Sequence, residues 1–230
     1  MPIITLPDGT TRSYDTTTSP LQVAEDISAG LANVAIGARI NGELSDLSTP
    51  IEKDAELKIV TARKGEKETD PDAFMLIRHS CAHVMAEAIQ RVRPNTELVY
   101  GPALDNGFYY DISFANAEPL SSDEFEAIEK EMKSIIEEDR PFTRYELDAT
   151  EGLAKLETEG NKYKVDNAKR ALDTGSTSLT WYATGEKDKN WEDLCKGPHV
   201  PSTGKIGAFK LMTIASSYWH GDAESDRLTR

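Results

Sequence analysis

Ala73-Phe74-Met75-Leu76-Ile77-Arg78-His79-Ser80-Cys81-Ala82-His83-Val84-Met85-Ala86-Glu87-Ala88-Ile89-Gln90-Arg91-Val92 is the stretch on which the fold turns. It contains no Gly or Pro until Pro94 stops it, so it predicts one long helix over 73–92. Phe74, Ile77, Cys81, Met85, Ala88 and Val92 recur at helical spacing and predict the core stripe. His79 and His83 stand four residues apart, which places both imidazoles on one face about 40° apart, nearly opposite the Cys81 stripe.

Downstream of this helix, residues 97–101 and 107–112 read as strands. Ser121-Ser122-Asp123-Glu124 is a capping box opening a helix with Phe125, Ile128, Met132 and Ile135 on one face. Phe142–Leu147, Ser178–Ala183 and Phe209–Ile214 read as further strands, and 184–208, rich in Gly, Pro and charge, as long loops. Residues 73–226 therefore form one α+β domain. Upstream, residues 63–72 are charged, nearly devoid of apolar side chains and closed by Pro71, a linker signature.

Residues 1–62 read as a small ββαββ unit. Ile3–Leu6 and Thr10–Tyr14 flank the turn Pro7-Asp8-Gly9. Ser19-Pro20 starts a helix with Leu21, Ala24 and Ile27 inward and Gly30 at its end. Val34–Ile40 and Glu43–Leu47 make a hairpin around Asn41-Gly42, and Leu57–Thr61 is the final strand.

Composition narrows the function classes. No apolar run approaches a membrane span, and the N-terminus has no signal-peptide pattern, so the expected location is cytoplasmic and no membrane partner is expected. Two cysteines, Cys81 and Cys195, imply no disulfide framework. A net charge of −14 argues against coating nucleic acid through bulk positive charge, and leaves room for a local grip on one RNA end.

The chemistry concentrates in few residues. Three of the four histidines and one of the two cysteines fall into His79-x-x-x-His83 and Cys195-x-x-x-His199. One such pair is commonly accidental; two built from such scarce residues are harder to dismiss. Pro198 keeps the second pair out of a regular helix, so helix and turn can converge on one point. N and S donors of this kind suit tetrahedral zinc, or acid–base work near pH 7 without metal. Asp193 could orient a histidine or take a substrate amino group, and Lys164 could stabilise an oxyanion. Tyr109 and Tyr110 point to opposite faces if on a strand, one to the core and one to a pocket. His220 is a pocket candidate or an exposed loop residue, and Cys81 a buried core thiol.

Collinear motifs carry a resemblance across essentially the whole chain: Ile3 to Gly9, Ile40-Asn41-Gly42-Glu43, Ile77 to His83, Asp105-Asn106-Gly107-Phe108-Tyr109-Tyr110-Asp111, Tyr163-Lys164-Val165 and Asp193 to Pro201. They resemble the N-terminal half of bacterial-type threonyl-tRNA synthetases. The resemblance implies a β-grasp-like TGS domain (1–62), a linker (63–72) and an editing domain (73–226), with 227–230 starting a link to a class II catalytic domain outside this chain. It implies hydrolysis of the ester of mischarged Ser-tRNA(Thr). His79, His83 and His199 would work on a water, Cys195 would shape the pocket floor, and Lys164 and Asp193 would act on the substrate, with Tyr109, Tyr110 and His220 nearby. The implied partners are the tRNA(Thr) acceptor end and the remaining synthetase domains, which would make a homodimer. No cofactor is implied for threonyl editing, although related alanyl editing domains hold zinc with this pattern. A zinc-dependent alanyl-type deacylase and a structural zinc or RNA-binding module are the alternatives. One departure is His220, where the family shows Arg.

Overall fold

The computed structural model describes residues 1–62, 70–114 and 118–230. The N-terminal unit runs β1 (Ile3–Thr5), β2 (Thr11–Ser13), α1 (Pro20–Ile27), α2 (Ala29–Val34), β3 (Ala35–Ile40), β4 (Glu43–Ser45) and β5 (Ala55–Thr61). Its sheet has the order β2-β1-β5-β3-β4 with β1 and β5 parallel, a β-grasp-like arrangement. The β3–β4 hairpin turns on Asn41 (φ 50°) and Gly42 (φ 84°), the left-handed pair that a two-residue turn demands. Ser19 caps α1, accepting from Gln22 N at 3.3 Å, with Pro20 in the first helical position.

The helix expected to run to Gly30 stops at Ile27. Ser28 breaks it: its N–H closes α1 on the Ala24 carbonyl, and its hydroxyl opens α2 by accepting from Leu31 N at 3.0 Å. Gly30 lies inside α2. The inward face of α1 is also rotated from expectation, because Val23 and Ala24 are buried while Leu21 and Ile27 are exposed.

The second unit comprises α3 (Pro71–Val92), β6 (Glu97–Tyr100), β7 (Ala103–Leu104), β8 (Gly107–Phe108), β9 (Asp111–Ser113), α4 (Phe125–Glu137), β10 (Phe142–Asp148), α5 (Ala149–Glu159), α6 (Lys162–Asp173), β11 (Ser178–Thr184), β12 (Glu192–Leu194), β13 (Ser216–Tyr218) and β14 (Arg227–Thr229). Two antiparallel sheets, β10-β11-β12 and β13-β14-β9-β6, flank α3, and the molecule is α+β. Ile128, Met132 and Ile135 of α4 are fully buried against α3, as their spacing predicts. The capping box is present, with Ser121 N donating to Glu124 at 3.0 Å, although it caps a short 3-10 turn that leads into α4. Among the described residues no helix is long and apolar enough to cross a membrane.

Four expectations are corrected. Asp70, Pro71 and Asp72 belong to α3 rather than to a linker, since Asp70 caps the helix by accepting from Asp72 N at 3.0 Å; residues 63–69 of that linker lie outside the described residues. The stripe on α3 is wider than predicted: every residue from Ser80 to Ile89 is buried, while Phe74 is 41% exposed. From Ser80 to Ile89 α3 is central and both of its faces are covered, whereas its first turns keep an exposed side. Phe209–Ile214 forms no strand; Leu211 N donates to the Glu129 carboxylate at 2.9 Å instead of to a sheet neighbour. Residues 227–230, expected to start a link, complete a sheet: β14 pairs with β13 and β9, and Arg230 forks onto Asp111 at 2.8 Å and 2.8 Å. Helices α5 and α6 and the short strands β12, β13 and β14 had no clear counterpart in the sequence pattern.

The two units share a tight seam. Leu76 of α3 joins Ile36 and Val60 in one core. Arg39 grips Asp72 with two hydrogen bonds of 2.6 Å, and Lys58 reaches Asp70 at 2.7 Å.

Candidate functional site

α3 delivers His79, Ser80 and His83 to one side of a cleft. On the other side, β12 carries Asp193 and runs into Cys195-Lys196-Gly197-Pro198-His199. Cys195 N donates to the Thr180 carbonyl of β11 at 2.9 Å, and Gly197 takes φ +74°, so the chain turns at once and sends His199 back toward α3. The turn leaves no room at Gly197: a Cβ there would collide with the Tyr182 ring and hydroxyl.

The result is one cluster. Donor atoms of His79, His83, Cys195 and His199 all lie within 4.8 Å of one another. Cys195 Sγ is 3.3 Å from His79 Nε2 and 3.5 Å from His199 Nε2. His79 and His199 stack at 4.2 Å, and Phe142 stacks on the outer face of His199 at 4.8 Å. Two hydrogen bonds orient the rings of His79 and His199, one to a backbone carbonyl and one to a side-chain hydroxyl. His79 Nδ1 is 3.0 Å from the Pro198 carbonyl, which can only accept, so the proton sits on Nδ1 and the Nε2 lone pair faces the cluster. His199 Nδ1 shares a hydrogen bond of 3.0 Å with Ser80 Oγ, and that hydroxyl oxygen accepts from Val200 N at 3.0 Å.

Burial governs the charge states. Desolvation pushes His83 and His199 well below the ordinary imidazole range and lowers His79 as well, while it drives the Cys195 thiol up to about 12. The cluster is thus three neutral imidazoles around a protonated thiol.

Beside it lies a buried ion pair. Lys164, from the first turn of α6, meets Asp193 at 2.7 Å and 2.9 Å, with side chains only 7% and 5% exposed. Tyr110 donates its hydroxyl to the same carboxylate and accepts from Lys164 Nζ at 3.0 Å. Burial and the Asp193 charge hold the Tyr110 phenol well above its usual range. These groups line an open cleft of about 1350 Å³, bounded also by the Glu43–Pro50 segment, Tyr100, Arg144 and Lys196.

Two candidates lie elsewhere. Tyr109 faces away from Tyr110 and packs under the Arg230 guanidinium at 3.8 Å. His220 takes φ +56° on the outer surface, stacks on Trp219 at 4.7 Å, and contacts Arg170 and Asp166 on the far side of α6. Neither lines the cleft. Sequence reading missed Ser80, Tyr182, Phe142 and Asp46. Ser80 sits inside the His79–His83 motif and was open to notice; Asp46 looks like any turn aspartate, and nothing in the linear pattern marks it.

Known proteins place these features. Residues 2–61 match the TGS domain, and residues 180–230 match the threonyl and alanyl tRNA synthetase second additional domain. Together they mark a chain of aminoacyl-tRNA synthetase type. Over nearly its whole length the chain is similar to threonine–tRNA ligases: 43% identical to that of Hyphomonas neptunium and 46% to that of Maricaulis maris (each over 99% of this chain), and 43% to that of Rhodospirillum rubrum (over 100%). Over its whole length it corresponds to the N-terminal region of threonyl-tRNA synthetases, the region that carries these two domains. The chain spans about a third of the length of these curated relatives, 33% to 34%.

Proposed function

We propose that the cleft hydrolyses the ester joining a wrongly attached amino acid to the terminal ribose of tRNA, with Ser-tRNA(Thr) as substrate, as the proofreading part of a cytoplasmic threonyl-tRNA synthetase. The observation that carries this reading is the convergence of three imidazoles, those of His79 and His199 oriented by hydrogen bonds, and a thiol beside the buried Lys164–Asp193 pair. The chemical need is clear: serine lacks one methyl of threonine, and a binding pocket discriminates one methyl by only ~1–3 kcal/mol.

An imidazole lone pair of the cluster takes a proton from water as the water oxygen bonds to the ester carbonyl carbon. The carbonyl oxygen gains charge near the Lys164 ammonium. The acyl C–O bond then breaks, and the ribose oxygen leaves with a proton. A carboxylate offers about four acceptor positions, and Lys164 and Tyr110 use three on Asp193, so one remains for the substrate ammonium. Cys195 forms the floor beneath this position. The acceptor end of tRNA(Thr) fills the wider cleft, and the other synthetase domains supply further tRNA affinity and the homodimer contact.

The cluster's donor set also fits zinc, because four N and S atoms stand within 4.8 Å of one another. His79, His83, Cys195 and His199 would hold it. Bound there, zinc would supply Lewis-acid polarisation or, with all four ligands engaged, structural bracing.

The test is incubation of the protein with Ser-tRNA(Thr) and Thr-tRNA(Thr) in parallel. Preferential release of serine is expected. Equal release, or none, defeats the reading, and preferential release from Ala-tRNA instead moves the site to the alanyl type.

A further inference from the structure

Asp46 belongs to the N-terminal unit, within the residues that match the TGS domain, yet both of its carboxylate oxygens serve the second unit. Oδ1 accepts the backbone N–H of His199 at 2.8 Å, and Oδ2 accepts the Tyr182 hydroxyl at 2.5 Å. The side chain is buried, just past the end of β4. Its loop is anchored by Thr49 N on the Asp46 carbonyl at 3.2 Å, by Leu21 N on the Leu47 carbonyl at 3.0 Å, and by the buried Leu47.

His199 needs this partner. Its residue is 1% exposed and follows the Gly197-Pro198 turn, outside any helix or strand, so its N–H has no secondary-structure acceptor. A buried backbone N–H left unpaired is rare and costly. Asp46 fixes the main chain of His199, while Ser80 and Phe142 fix its ring. Through Oδ2, Asp46 also pins Tyr182, whose ring stands edge-on to the His199 ring at 4.5 Å and occupies the space that Gly197 leaves open.

We infer that Asp46 is a positioning residue of the hydrolytic centre, and that the TGS domain of this protein completes the frame of that centre. The inference rests on the deacylase reading for its activity readout and on the geometry for the rest. Loss of the carboxylate frees the His199 main chain and shifts Nε2 away from Cys195 and His79. Misplacement of a reacting group by about 1 Å is worth roughly 100-fold in rate.

The experiment uses the whole chain with Asp46→Ala, Asp46→Asn and Tyr182→Phe. Steady-state deacylation of Ser-tRNA(Thr) is measured alongside amide hydrogen exchange at His199. In Asp46→Ala, kcat should fall about 10- to 100-fold with KM changed less than about threefold, and the His199 amide should exchange faster. Asp46→Asn should restore kcat to within about threefold of wild type, since its carbonyl can accept from His199 N–H while its amide donates to the Tyr182 oxygen. A general stability role would instead lower the folded fraction in proportion to the lost activity, leaving kcat per folded molecule at the wild-type value. Should Asp46→Ala fail to fold, Tyr182→Phe carries the test: it unties Oδ2, and kcat should fall several-fold with faster His199 exchange. Wild-type kcat and unchanged His199 exchange, in Asp46→Ala or in Tyr182→Phe, overturn the inference. If the wild-type protein releases no serine, the deacylase reading falls, and the His199 exchange alone still decides whether Asp46 holds that residue.

Discussion

Replacing Lys164 by Met removes one half of an ion pair that water scarcely reaches. Lys164 and Asp193 are 7% and 5% exposed in their side chains, and the ammonium bonds both carboxylate oxygens and Tyr110. Met matches the length of the Lys stem, so the packing of α6 on the cleft wall is kept while the charge is lost. Asp193 then stays buried with the Tyr110 hydroxyl as its remaining side-chain donor. Breaking a buried pair from one side typically costs ~3–5 kcal/mol, because the orphaned charge keeps its desolvation penalty. At roughly 2–4 °C per kcal/mol for a chain of this size, the thermal midpoint should fall by about 10 °C. The double variant Lys164→Met/Asp193→Leu removes both charges and should recover most of that loss. The assay is thermal unfolding by circular dichroism of wild type, both single variants and the double variant, closed as a thermodynamic cycle. A Lys164→Met midpoint within about 2 °C of wild type, or a double variant no better than the sum of the singles, refutes the claim that the pair is desolvated and strongly coupled. Deacylation should be lost in all three variants, which separates the chemical need for the pair from its effect on stability.

Other outcomes follow from the same geometry. His79→Ala should lower serine release about 100- to 10,000-fold with an unchanged circular dichroism spectrum; a variant that loses bound zinc and its folded spectrum together would favour the structural-zinc module. Protein stripped by chelator and shown by metal analysis to be free of zinc should keep its deacylase activity, and parallel loss of zinc and activity would sink the metal-free mechanism. Gly197→Ala should destabilise the protein by at least ~1–2 kcal/mol in urea unfolding, from the positive φ alone, and lower activity further because the new Cβ displaces Tyr182.

The helical reading of 73–92 was legible because nothing in it breaks a helix, and the start moved to Pro71 only because Asp70 folds back as a cap. Which side faces inward was not legible. The periodic stripe through Phe74 and Ile77 assumes one wet face, and a helix covered on both sides has none. The strand read at Phe209–Ile214 failed for a related reason: apolar residues at those positions pack on the core, but a strand also needs a neighbour to pair with, and the neighbour here is a carboxylate, Glu129. Helices α5 and α6 were missed because their inward residues, such as Leu156 and Ala168, are thinly spread among charges.

The sequence by itself determined the list of donors. Scarce histidines and cysteines in two short pairs, with Pro198 forbidding a helix at the second, were enough to name His79, His83, Cys195 and His199 and to assign them N and S chemistry. Only the tertiary structure decided what holds them and in what company. The β11–β12 register sets Asp193 beside Tyr182, the α6 cap points Lys164 inward, and a turn 153 residues before His199 supplies its backbone partner. Such contacts depend on register and on the docking of one unit against another. Local spacing encodes which side chains a segment presents, and carries no record of which distant segment will meet them.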